Sequence, residues 1–185
     1  CLFEDEFIPQ VEKLEQLVNE NTVAILYNFP SNPTGGTLNV EQRDELLDFA
    51  KRHDLWLITD EVYDRIVFEG EHVSFMGTGY DKVMLINSFS KTFAMTGWRI
   101  GYCGGPEKII TAMKKIQGQS TSNASSVSQA AAIVALNGSH QLVHSMAKEY
   151  ERRHTFIFNA LNSIKGFKTV AATGAFYTFP EVTGV

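Results

Sequence analysis

Three short runs, Thr22-Val-Ala-Ile-Leu-Tyr27, Leu55-Trp-Leu-Ile-Thr59 and Val83-Met-Leu-Ile86, are apolar almost from end to end. Each is short and continuous, as expected of a strand buried on both faces. Helical spacing lies between them. Val11, Leu14, Leu17 and Val18 precede the first run, and Asn39 with Gln42 resembles a capping pair for a helix that turns Leu46, Leu47 and Ala50 inward. Buried strands alternating with helices predict an α/β protein, a three-layer α/β/α arrangement around a mostly parallel sheet. A fourth apolar run, Trp98-Arg-Ile-Gly-Tyr-Cys103, ends in Gly104-Gly-Pro106, with Pro106 placed to open a helix continued by Ile109, Ala112, Met113 and Ile116. Helical spacing returns from Val127 to Leu136 and again through Leu142, Met146, Tyr150, Ile157 and Leu161, stopping near Gly166. From Lys168 to Phe179 the pattern is that of a strand. The expected division is one large domain over 1–140, a long connecting helix over 141–165, and the start of a small α+β domain over 166–185.

A chain of 185 residues, 44% of them apolar, can bury one sizeable core. Its formal charge of -5 comes without any run of Lys or Arg, so no electrostatic footprint for nucleic acid or an anionic membrane is present. No apolar stretch approaches the roughly 20 residues of a membrane-spanning helix. Cys1 and Cys103 have neither metal nor redox spacing, which makes a reducing, cytoplasmic setting the default. The chain starts without Met and stops at Pro180-Glu-Val-Thr-Gly-Val185, straight after a strand-like aromatic run, so both ends read as cuts through a longer protein.

In open α/β sheets, ligands bind beyond the carboxyl ends of the strands. After the first strand comes Asn28-Phe-Pro-Ser-Asn-Pro-Thr-Gly35, where Asn32 offers an amide and Pro33 fixes the chain, a cis bond being among its options. After the second comes Asp60-Glu-Val-Tyr63. A carboxylate at the edge of a buried strand calls for a cationic partner, since an unpaired buried charge is expensive. After the third comes Ser88-Phe-Ser-Lys91. A partly desolvated lysine becomes a nucleophile toward aldehydes, while Ser88, Ser90 and Arg99 supply hydroxyls and a cationic fork suited to phosphate. Each feature alone is a turn, a cap or a surface charge, but together they gather where one ligand could touch them all.

These stretches, with Ser88-Phe-Ser-Lys91-Thr-Phe-Ala-Met-Thr-Gly-Trp-Arg99-Ile-Gly-Tyr102, resemble the class I/II aminotransferases of the aspartate aminotransferase superfamily, which are fold-type I pyridoxal 5'-phosphate (PLP) enzymes. The motifs match in order and separation over essentially the whole chain. The resemblance implies a PLP-dependent transferase-like large domain in which Lys91 carries PLP as a Schiff base and Asp60 pairs with the pyridine nitrogen. It further implies that Asn32 and Tyr63 bind the ring's phenolic oxygen, that Val62 packs on a ring face, and that Ser88, Ser90 and Arg99 hold the phosphate. Amino acid and 2-oxo acid substrates follow, as does a homodimer in the full-length parent. The family's N-terminal third, with a Gly-rich phosphate loop and a stacked aromatic, has no counterpart here, nor does its late substrate-binding arginine. Thr173-Gly-Ala-Phe-Tyr177 resembles the family's entry into its small domain, with Ala172 where a proline is common. The piece thus holds the residues for binding PLP without all those for turnover.

Lys91 and Asp60 would serve a β-lyase or a decarboxylase equally. A non-catalytic PLP-binding module of a regulator is a reading from another class. Ser88 to Lys91 also fits the S-x-x-K of penicillin-binding serine acyltransferases, but K-T-G is absent. His53, His72, His140, His144 and His154 lack metal spacing and read as surface or packing residues, so no metal is expected.

Overall fold

The computed structural model describes residues 3–183. Cys1 and the last two residues of the Pro180–Val185 end lie outside that range. Helix α1 (Val11–Glu15) leads to β1 (Ala24–Asn28), α2 (Val40–Arg52) and β2 (Trp56–Asp60). After a long connection come β3 (Val83–Ser88), the single turn α3 (Phe89–Thr92) and β4 (Gly101–Gly104). Helices α4 (Glu107–Ser120), α5 (Ser126–Asn137) and α6 (Gln141–Asn162) follow, and β5 (Phe167–Thr169) pairs with β6 (Pro180–Val182).

The main sheet has the order β1-β2-β3-β4, with the first two pairings parallel and the last antiparallel. This is the α/β fold with a mostly parallel sheet expected from the sequence. Helix α2 begins at a complete capping box, with Asn39 Oδ1 accepting from Gln42 N and Gln42 Oε1 accepting from Asn39 N. Its Leu46, Leu47, Phe49 and Ala50 are buried against Tyr27, Leu57, Phe75 and Val83. Full burial of each Leu or Phe contributes about 1.5–3 kcal/mol, so this helix is held by its apolar stripe. The cross-strand register puts Leu26, Ile58 and Met84 on the opposite face, together with Asn28, Asp60 and Ile86. There Leu26 is 76% exposed.

The second strand is shifted by one residue and the third runs on to Ser88, while three larger differences from the sequence reading fall where the backbone is bonded locally. The first strand begins at Ala24 rather than Thr22, because Thr22 Oγ1 accepts from Asn19 N in the preceding turn. Helix α1 stops at Glu15, where Leu17 N closes a tight turn onto Leu14 O, yet Val18 still packs on the core. The fourth strand starts at Gly101 rather than Trp98. Residues Thr96–Trp98 form a 3-10 turn, Arg99 adopts a left-handed conformation (φ 49°), and Ile100 tucks against Phe89 and Ala132.

The stretch from Lys168 to Phe179 is mostly not a strand. Its backbone groups bond elsewhere: Thr173 N and Gly174 N donate to Gly35 O, and Ala175 N donates to Ile66 O. Among the described residues, no helix is long and apolar enough to cross a membrane.

Candidate active site

Parallel register brings Asn28, Asp60 and Ile86 side by side at the carboxyl edge of the sheet, and β4 returns to place Gly101 opposite Ser88. The turn after β1 is built on Asn28. Its Nδ2 donates to Asp60 O (3.1 Å) and its Oδ1 accepts from Asn32 N (2.8 Å), which ties the first strand end to the second. The Phe29–Pro30 and Asn32–Pro33 peptides are both cis. Gly35, at φ 75°, lies so close to the segment beginning at Ala172 that a Cβ on it would sit 2.3 Å from the Ala172 Cβ. Only glycine meets both demands.

Asp60 is half-buried at the end of β2. Burial raises its carboxyl above the ordinary value, and the charge of Glu61 adds to the rise, while the Val62 N–H at 3.3 Å opposes it. Tyr63 is almost fully buried, and its hydroxyl lies 2.5 Å from the hydroxyl of Tyr177. Burial and then Tyr177 push the Tyr63 phenol up, whereas the neighbouring Asn32 side chain draws it down. Asn32, Asp60 and Tyr63 are thus gathered at one edge. Val62 packs beside them on the cluster of Tyr63, Ile66 and Ala175.

Lys91 sits on α3, immediately past β3, with Nζ 5.7 Å from the centre of the Phe176 ring. Phe176 packs edge-on against Tyr63, so the amine and the phenol border the same aromatic surface. Ser88 caps α3. Its Oγ accepts from Ser90 N (3.0 Å) and lies 2.8 Å from Ser90 Oγ, which sets two hydroxyls side by side. Arg99 is exposed and its Nη1 donates to Thr96 O, the one hydrogen bond of this guanidinium among the described residues. The chain next to it is anchored, since Ile100 O accepts from Phe89 N.

Sequence reasoning missed Phe176 and Tyr177 as neighbours of the site. Their only signal is an aromatic pair in an otherwise small-residue stretch. It also read all five histidines alike, but His72 is nearly buried with its Nε2 2.7 Å from Glu61 Oε2, and Ala172 N donates to His154 Nε2. No group of His, Cys, Asp and Glu suited to a metal occurs among the described residues.

Fold and site together define a class: an α/β protein that presents an amine, a carboxylate and a phenol at the carboxyl edge of a parallel sheet. The chain belongs to the family described as aminotransferase class I and II, whose model matches residues 1–185. It is 40% identical over 184 residues to an aspartate/prephenate aminotransferase of Nitrosomonas europaea, a match covering 97% of this chain and 46% of that protein. An aspartate aminotransferase structure from Rhizobium meliloti superposes with a TM-score of 0.94 at 38% identity, covering 100% of this chain and 48% of the other. An aromatic aminotransferase from Pyrococcus horikoshii superposes with a TM-score of 0.92, again at 38% identity, over 97% of this chain and 49% of its own. The chain therefore spans about half the length of the relatives it matches.

Proposed function

We propose that this chain forms the cofactor-holding part of a PLP-dependent aminotransferase that passes an amino group between an amino acid and a 2-oxo acid. The observation that carries the reading is the convergence of Lys91, Asp60 and Tyr63 on one sheet edge, with Phe176 bridging the amine and the phenol. The donor set suits PLP: an amine for its aldehyde, a half-buried carboxylate for a cationic ring nitrogen, phenol and amide for its phenolic oxygen, and paired hydroxyls with a guanidinium for its phosphate.

When bound, PLP supplies an electrophilic aldehyde and a protonated ring that withdraws electrons from the substrate Cα. Asp60 would hold a proton on the ring nitrogen, since a cation there relieves the cost of its own burial. Tyr63 and Asn32 would hold the ring through its phenolic oxygen, and Val62 would border it. Ser88, Ser90 and Arg99 would hold the phosphate. Lys91 Nζ, the amine at this edge, would take and return the proton at the substrate Cα. The division into a domain over 1–140, a connecting helix and the start of a small domain, a cytoplasmic homodimer in the intact protein, and the absence of nucleic-acid or membrane partners complete the reading.

The test is a PLP titration followed by borohydride reduction and mass spectrometry. A reduced adduct on Lys91, lost in Lys91→Ala, is the expected result. A folded, intact protein that gives no adduct at Lys91 would overturn the reading.

A further inference from the structure

Asp60 ends β2 and Glu61 continues its line, with Glu61 N donating to Ile86 O, so their side chains point to opposite faces. Asp60 faces the candidate active site. Glu61 turns into the packed side, where it is 3% exposed. A buried carboxylate needs partners, and both of its oxygens have them. Glu61 Oε2 lies 2.7 Å from His72 Nε2, and Oε1 accepts from Ser74 Oγ at 3.0 Å. The residues that supply these partners are themselves fixed. Ser74 O accepts from Arg43 Nη1 on α2, and Ser74 Oγ accepts from Met76 N. On the main chain, Glu61 N donates to Ile86 O, joining this point to β3. The end of β2 is therefore gripped by a polar cluster set behind the site, made of residues the proposed reaction does not use.

We propose that Glu61, held by His72 and Ser74, is a positioning residue that fixes the direction of the Asp60 carboxylate toward a cationic ring nitrogen. The inference rests on the PLP reading for its ligand but not for its anchor. Removing the Glu61 acceptors frees the strand end to turn, and the carboxylate next to it loses its aim. A group built only to stabilise the fold would weaken every cofactor equally. A positioning group acting through Asp60 weakens only those with a nitrogen in the ring.

The experiment uses the intact protein carrying this sequence and measures the dissociation constants of PLP and of the analogue in which the ring nitrogen is replaced by C–H. Glu61→Leu is expected to raise the constant for PLP about tenfold, the scale of one lost hydrogen bond to a charged group, and to leave the analogue unchanged. Glu61→Gln, which keeps an acceptor and a donor in place, is expected to restore PLP binding. Lys82→Ala, which breaks the Lys82–Asp54 pair elsewhere in the same connection, serves as the control and is expected to leave both constants unchanged. Should Glu61→Leu not fold, His72→Phe removes one partner and is expected to show the same selectivity.

Equal loss for PLP and analogue, or no loss for either, overturns the proposal. Failure of the PLP reading shows differently, as an unmodified protein that forms no adduct at Lys91. Amide exchange at Val62 then decides the anchor alone: faster exchange in Glu61→Leu but not in Glu61→Gln supports it, and unchanged exchange in both overturns it.

Discussion

The two faces of the main sheet are built from alternate residues of the same strands and are put to different uses. On the face covered by α2, Tyr27, Leu57 and Val83 are all but inaccessible and pack on Phe49. On the other, Leu26 stands open and Asn28 and Asp60 project at the carboxyl edge. One face stores the stability while the other offers the polar groups. Asp60 shows why the two are kept apart, since its raised pKa marks a carboxylate that the fold carries at a cost.

The largest effect that would sharpen this contrast comes from the packed face. Phe49→Ala is expected to cost about 3–5 kcal/mol, lowering Tm by roughly 6–20 °C in calorimetry. A loss under 1 kcal/mol would mean that α2 is not the main store of stability. Next in size is Tyr63→Phe, which leaves the Tyr177 hydroxyl without its partner and is expected to cost about 1 kcal/mol in a urea titration.

Smaller, and opposite in sign, is Asp60→Asn. The folded state holds the Asp60 proton more tightly than the unfolded chain does, so stability falls as pH rises from below 3.8 through the raised folded value. Above both values the whole penalty is present. Asp60→Asn is therefore expected to raise Tm at neutral pH, and the gain should vanish below the unfolded value of 3.8, where both side chains are neutral. A lower Tm at neutral pH would show that Asp60 supports the fold. Smallest of all is Leu26→Ser on the open face, expected to change stability by no more than about 0.5 kcal/mol in the same titration. A larger loss would show that the β1 end of this face is packed, as Met84 is on β3.

The sheet was legible in the sequence because its strands are apolar throughout, and their carboxyl edge followed from topology alone. The capping pair at Asn39 and Gln42 was legible too, being a local pattern of fixed spacing. Boundaries slipped where one polar side chain rebonded the backbone, as Thr22 does, because propensity averages over such single events. The strand expected over Lys168–Phe179 failed for a related reason: its amides are spent on Gly35 and Ile66, contacts that no local period announces. At the site, Asp60 and Ser88 close strands β2 and β3, Asn32, Tyr63, Ser90 and Lys91 lie just past strand ends, and each could be found one at a time. Tyr177 lies 114 residues from the Tyr63 hydroxyl it meets, and His72 was one histidine among five until Glu61 was seen to need it.

The seam between the Asn28–Gly36 turn and the segment around Thr173 bears on the order of folding. Thr37 N donates to Thr173 Oγ1 across 136 residues of chain, and Gly35 O takes two more bonds from the same segment. Closing so large a loop brings little reward until the intervening sheet exists, so this seam should form after the β1-β2-β3 ladder. On a ribosome, the turn that carries Asn32 would wait until the segment around Thr173 has emerged. Pulse-labelling hydrogen exchange is expected to protect the Leu57 amide before that of Thr173, so the scaffold would be complete while its ligand edge is still open.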